Sequence, residues 1–204
     1  MTGIIEAIKG RTSANNFDAT HQMTHDEIKE LVALANETPT SFNMQNFGLI
    51  AVVSPQKKAE LKAAAFGQPK VADAAVTFVV VGKMKGNETL PALIKPMLDA
   101  GAIDQAAFDG WIAKCNGMYA GKPQAQREEA IRSGGLVAMT LMYAAHAKGL
   151  VSGAMIGFMP DAVSKVVGLT DDEFPVMLIA IGRPAAGNWP RKVRRAIDEV
   201  VKFA

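Results

Sequence analysis

With one cysteine in 204 residues, Cys115 has no partner for an intramolecular disulfide. A disulfide-stapled scaffold is excluded, a reducing compartment suits the chain, and Cys115 reads as a structural residue because no basic partner is visible near it. Charge of one sign is also scarce: 22 Lys and Arg against 20 Asp and Glu give a net charge of +2. That argues against nucleic acid and membrane surfaces unless a local basic stripe exists. Uninterrupted apolar runs never approach a membrane span. The start, MTGIIEAIKGRTS, has no long apolar stretch and no cleavage pattern, so no signal peptide is expected and the cytoplasm is the expected location. His21, His25 and His146 lie apart without metal-ligand spacing to Cys, Asp or Glu, so no metal is expected. GxSxG, GxxxxGK[ST] and GxGxxG motifs are missing, which removes the usual support for serine hydrolysis, P-loop and Rossmann readings.

What is present fits a folded protein. Apolar residues make up 49% and charged residues 21%, and the length suits a single domain spanning residues 1–204. A short helix is expected over Ile4–Ile8, stopped by Gly10. Thr24 and Glu27 form a capping box opening a helix with an apolar face of Ile28, Leu31, Val32 and Ala35, ended by Pro39. Phe47–Val53 reads as a strand, Ser54-Pro55 as a helix start running to about Ala65, and Val76–Val81 as a strand buried on both faces. Helices are expected over Leu90–Leu98, Ile103–Lys114 and, longest, Ala125–Lys148, whose Leu136-to-Tyr143 stretch is too apolar for a helix with one face in water. A buried central helix, or one packed on a second subunit, is the better reading. Gly153–Phe158 reads as a glycine-containing loop or short strand. Pro160–Gly168 reads as a helix, Pro175–Ile181 as a strand and Val193–Phe203 as an amphipathic segment. The sum is an α+β chain without internal repeats.

Three separated polar clusters carry the chemistry: Arg11-Thr12-Ser13-x-Asn15, Thr40-Ser41-x-Asn43-x-Gln45 and Lys192-x-Arg194. Arginine and lysine pair with phosphate oxygens, while amides and hydroxyls suit a ring edge with alternating donors and acceptors. Taken singly, each cluster reads more readily as caps and turns than as a ligand contact, and the stripe Arg191–Arg195 reads equally as a solvated end.

In their order along the chain these segments resemble the nitroreductase family of FMN enzymes, in its branch of roughly 200 residues. Arg11-Thr12-Ser13-Ala14-Asn15-Asn16-Phe17 is similar to the family's opening Arg-rich motif, and Pro39-Thr40-Ser41-Phe42-Asn43-Met44-Gln45 to its Pro-Ser-Ser-x-Asn-x-Gln loop. Gly67-Gln68-Pro69-Lys70-Val71 sits where relatives have a polar linker before a central strand. Gly153–Phe158 with Pro160, Gly182-Arg183-Pro184 and the basic tail complete the series.

The resemblance implies a central, mostly antiparallel sheet surrounded by helices, with the long helix buried at the interface of a homodimer. It implies that Arg11, Ser13, Lys192 and Arg194 bind the FMN phosphate, that Thr12 also contacts the cofactor, and that Asn15 reaches the ribityl chain or pyrimidine edge. Thr40, Ser41 and Asn43 would come from the other subunit, and Gln68 and Lys70 would meet the flavin's polar edge. Met155, Ile156 and Gly157 would lie beside the ring, with the chemistry carried by FMN and no catalytic side chain. Asn15 replaces a basic residue of many relatives, and Ile156 replaces a glutamate of several larger ones. The implied activity passes hydride from NADH or NADPH to a small aromatic acceptor, a nitroaromatic or quinone, by a ping-pong cycle, with Lys83–Lys122 walling the acceptor site. A flavin-binding role in sensing, storage or a dedicated biosynthetic step is the competing reading, and a purely structural helical protein a third.

Overall fold

A computed structural model of the chain describes residues 3–204. Helix α1 (Ile4–Gly10) is followed by α2 (His25–Asn36), which begins where the capping box places it. The Glu27 N–H donates to Thr24 Oγ1 at 3.2 Å, and the Thr24 N–H donates to Glu27 Oε2 at 2.7 Å. Strand β1 (Phe47–Val52) leads to α3 (Pro55–Ala64), the one-turn α4 (Lys70–Asp73) and β2 (Val76–Lys83). Then come α5 (Gly86–Asp99), α6 (Gln105–Tyr119), α7 (Pro123–Ala147), β3 (Val151–Met155), α8 (Pro160–Val167) and β4 (Glu173–Gly182).

The strands form one antiparallel sheet in the order β1-β2-β4-β3. Alternation along β2 and β4 splits the core into two layers. Val76, Phe78, Val80, Ile179 and Ile181 face α2 and α7, packing on Leu31, Val137 and Leu141. Val79, Val81, Leu178 and Ala180 face α3, α4 and α8, packing on Leu61, Val71 and Val163. A satellite cluster of Met44, Leu90, Ile94, Cys115 and Tyr119 joins α5 and α6. Cys115 is a buried member of it, as its sequence context suggests, and burial raises its thiol pKa. Phe78 is fully buried at the centre of the sheet, paired with Ile179. Phe78→Ala is expected to cost about 3–5 kcal/mol of unfolding free energy by denaturant titration, because the cavity cannot collapse between sheet and helix.

Several boundaries differ from expectation, and tertiary contacts explain them. Helix α5 starts a turn before Leu90 because its first turn is held from outside. A Cβ on Gly86 would stand 2.8 Å from that of Asn46, and Asn87 Nδ2 donates to Asn116 Oδ1 at 3.0 Å. Helix α6 runs past Lys114, through Gly117, because burial of Cys115 and Tyr119 rewards continuation. Helix α2 ends at Asn36, before Pro39. Segment 151–155 is a strand because it pairs fully with β4. The Val193–Phe203 segment is extended apart from one 3-10 turn at Ile197–Glu199, and Phe203 is 95% exposed. A short amphipathic stretch with no apolar surface to lie on does not hold a helix. Among the described residues no helix is long and apolar enough to cross a membrane, and none of the His, Cys, Asp and Glu residues group as a metal site.

Candidate functional site

Where α1 ends, the chain turns extended through Arg11–Asn15 and lays a short parallel bridge, Ser13 to Ser152, along the free edge of β3. The Ala14 N–H donates to the Ser152 carbonyl at 2.9 Å. The approach is close enough that a Cβ on Gly153 would stand 2.4 Å from the Ala14 carbonyl oxygen. Phe17, buried and bridged to Pro184, fixes the far end.

Beside this segment lies a small cavity of about 80 Å³. Arg11, Thr12 and Ser13 form one wall, and Trp189–Lys192 with Arg194 form the other. Four cations line it and no carboxylate does, among the described residues. Arg11 Nη1 is buried with no hydrogen-bond partner. Burial is the main cause lowering the Arg11 pKa; Tyr143 opposes it, and Arg191 and Arg194 add to it. A buried donor left unpaired among like charges is costly unless an anion completes the site.

A second part adjoins it. Lys70 Nζ donates to Asn15 Oδ1 at 3.1 Å, and burial, then the charge of Lys192, lowers the Lys70 pKa. Gln68 Nε2 donates to the carbonyls of Gly157 at 2.8 Å and Ala65 at 3.1 Å, leaving its oxygen free to accept. The clusters at 11–15, 68–70, 155–157 and 192–194 thus meet from four distant stretches of chain. Met155 and Ile156 part company here. Met155 pairs with Leu178 and turns its side chain into the core at 6% exposure, whereas Ile156 is 78% exposed. A side-chain contact with a ring is therefore open to Ile156, and Met155 offers only its backbone. His146 packs against Gly10, next to Arg11, where a Cβ on the glycine would be 2.9 Å from Nε2.

The third cluster is elsewhere. Thr40 Oγ1 accepts from the Gln45 N–H at 2.9 Å, Asn43 Oδ1 accepts from Gln45 Nε2 at 3.2 Å, and Ser41 Oγ lies 3.0 Å from Tyr119 Oη. Tyr119 in turn donates to Glu129 at 3.1 Å. Phe42, Asn43 and Gln45 all have positive φ (53°, 57° and 46°), a conformation costing non-glycine residues energy and common at ligand sites. Among the described residues no hydrogen bond joins Thr40, Ser41 or Asn43 to Arg11–Asn15.

Four residues at the site escaped sequence reasoning. Asn188 and Arg191 bond to the Arg11–Asn16 backbone, Trp189 lines the cavity, and Phe66, 66% exposed with φ 55°, flanks Gly157. Arg191 sat inside the basic stripe but had no spacing to separate it from its neighbours. The others carry no sequence signal.

The chain matches the nitroreductase family over residues 8–183 and belongs to that family. It is similar to DrgA of Synechocystis (33% identical, covering 87% of this chain and 82% of that protein). YodC of Bacillus subtilis, a protein with NAD(P)H nitroreductase in its name, is 30% identical over 90% of each chain. Among solved structures, a protein of Exiguobacterium sibiricum in complex with FMN superposes with a TM-score of 0.91 at 28% identity, covering 100% of this chain and 98% of that one.

Proposed function

We propose that this protein is a homodimeric FMN-dependent oxidoreductase that takes hydride from NADH or NADPH and delivers it to a small aromatic acceptor. The observation that carries the reading is the unpartnered, buried Arg11 Nη1 in a cavity walled by cations. The residues fit FMN. Arg11, Lys192 and Arg194 with the hydroxyls of Thr12 and Ser13 suit a phosphate monoester. Lys70, Asn15 and Gln68 suit the ribityl chain and the polar ring edge, and Lys70 would favour negative charge growing there.

Held by Arg11, Ser13, Lys192 and Arg194, FMN would supply the two-electron hydride chemistry that links a nicotinamide to a nitroaromatic or quinone, the two substrates taking turns at one site in a ping-pong cycle. The chain's own contribution is placement. Ile156 and Phe66, both exposed, would form an apolar wall against a bound ring and exclude water from it, and the α5–α6 segment would wall the acceptor side with Leu93, Met97 and Met118 exposed. Thr40, Ser41 and Asn43 would complete the site from the partner subunit. Helices α1 and α2 each pack on α7 and leave Ile4, Ile5, Leu34, Ile131 and Leu136 exposed, surface that a second subunit would bury.

Gentle purification is expected to give a yellow protein whose flavin band bleaches anaerobically with NADH or NADPH and returns with a quinone or nitroaromatic. Retained flavin that neither nicotinamide reduces would favour a sensing or storage role. Sedimentation is expected to give twice the chain's mass, and a flavin-loaded monomer would refute the two-subunit site.

The flavin-reduction rate is expected to be nearly flat from about pH 6 to about pH 9, because the segment proposed beside the ring, Met155-Ile156-Gly157, carries no acid or base. A fall is expected only on the alkaline side, as Lys70, already below the ordinary lysine range, loses its proton. A sharp neutral titration removed by changing His146, with FMN still bound, would overturn this.

A further inference from the structure

We propose that Asn188 and Arg191 are a pair of positioning residues, a clip that sets the Arg11–Ser13 loop in its binding geometry before any phosphate arrives. The inference rests on reading that loop as the FMN phosphate site. Asn188 Oδ1 accepts from the N–H groups of Asn15 at 2.8 Å and Asn16 at 2.9 Å. Its Nδ2 donates to the carbonyls of Asn16 at 2.8 Å and Ala185 at 3.1 Å. Both acceptor sites and both donors of the amide are used, so Asn188 has no capacity left for a ligand and acts only through the loop.

Arg191 grips the other end. Its Nη1 donates to the carbonyls of Ile8 at 3.3 Å, Lys9 at 2.6 Å and Arg11 at 3.2 Å. These are carbonyls at the C-terminal end of α1, where the helix dipole is negative and would oppose an anion. Covering them with a guanidinium cancels that field and pins the Arg11 backbone. The two side chains, three residues apart, thus hold residues 8–11 and 15–16 and leave only Thr12–Ala14 between them, itself bridged to β3. Without the clip, repulsion among Arg11, Lys192 and Arg194 would favour a splayed loop, and the anion would have to order it on binding.

The test uses full-length protein stripped of flavin, with FMN and riboflavin affinities measured by fluorescence titration. Asn188→Ala, which also frees Asn15 beside the ribityl chain, is expected to weaken both, FMN by about tenfold and riboflavin by distinctly less. Arg191→Met is expected to weaken FMN by about tenfold, with riboflavin changed less than about twofold. Arg191→Lys, which keeps a donor cation for the carbonyls, is expected to recover most of the loss. In a double-mutant cycle, Arg191→Met should cost little once Arg11 is alanine, because it acts through Arg11. Hydrogen exchange at the Asn15 and Asn16 amides is expected to be slow in the flavin-free protein and fast in Asn188→Ala. Equal losses for FMN and riboflavin, additive effects in the cycle, or amides protected only after FMN binds would each overturn the clip. If Arg11→Ala itself binds FMN like the unaltered protein, the phosphate reading fails, whatever the clip variants do.

Discussion

Gly153→Ala is expected to cut FMN affinity by about 5- to 150-fold, corresponding to roughly 1–3 kcal/mol of overpacking. The new methyl would stand 2.4 Å from the Ala14 carbonyl oxygen, a backbone atom that cannot swing aside as a long side chain would. Relief requires the Ala14 segment to leave β3, breaking its hydrogen bond to Ser152 and moving Ser13 and Asn15 away from the basic wall and from Lys70. Gly110→Ala is the control: it lies in α6 with open space around its Cβ position, and should stabilise the fold by roughly 0.5–1 kcal/mol. Retained FMN after purification and a titration of the flavin-free protein read the difference. Unchanged affinity in Gly153→Ala would mean that the 11–15 segment does not hold the cofactor.

Arg11→Ala is the second large effect. It should weaken FMN by about tenfold or more, as a charge-assisted contact worth roughly 1.5–3 kcal/mol disappears. Riboflavin lacks the phosphate and should be nearly indifferent. Removing Arg11 from the flavin-free protein also deletes a buried donor without a partner and eases repulsion from Arg191 and Arg194. The flavin-free variant should therefore be at least as resistant to denaturant as the original, while its FMN complex is weaker. A residue serving only to hold the fold would give the opposite sign. Equal losses for FMN and riboflavin would place Arg11 away from the phosphate.

Much of the framework was legible because it rests on local chemistry. The Thr24–Glu27 box starts α2, Ser54-Pro55 starts α3, and the β-branched run from Val76 becomes a strand covered on both faces. The family followed from the order of motifs, and the match over residues 8–183 shows it. Less legible were the lengths of α5 and α6, whose ends are set by burial of Asn87, Cys115 and Tyr119 under neighbouring elements, and the tail, whose apolar residues have no surface in their own chain to cover.

The same division runs through the site. Sequence alone determined which residue types are available and in what order: Arg11, Ser13, Asn15, Lys70, Lys192 and Arg194 carry charges and hydrogen-bonding groups whatever their surroundings. Only the tertiary structure decided which of them meet. Sheet pairing turned Met155 inward with Leu178 and left Ile156 outward, a choice set by strand register. Folding placed Asn188 and Arg191 on the backbone of a loop more than 170 residues earlier in the chain. Which carbonyl a guanidinium reaches, and which buried donor is left without a partner, depends on the path of the whole chain, and no local pattern encodes it.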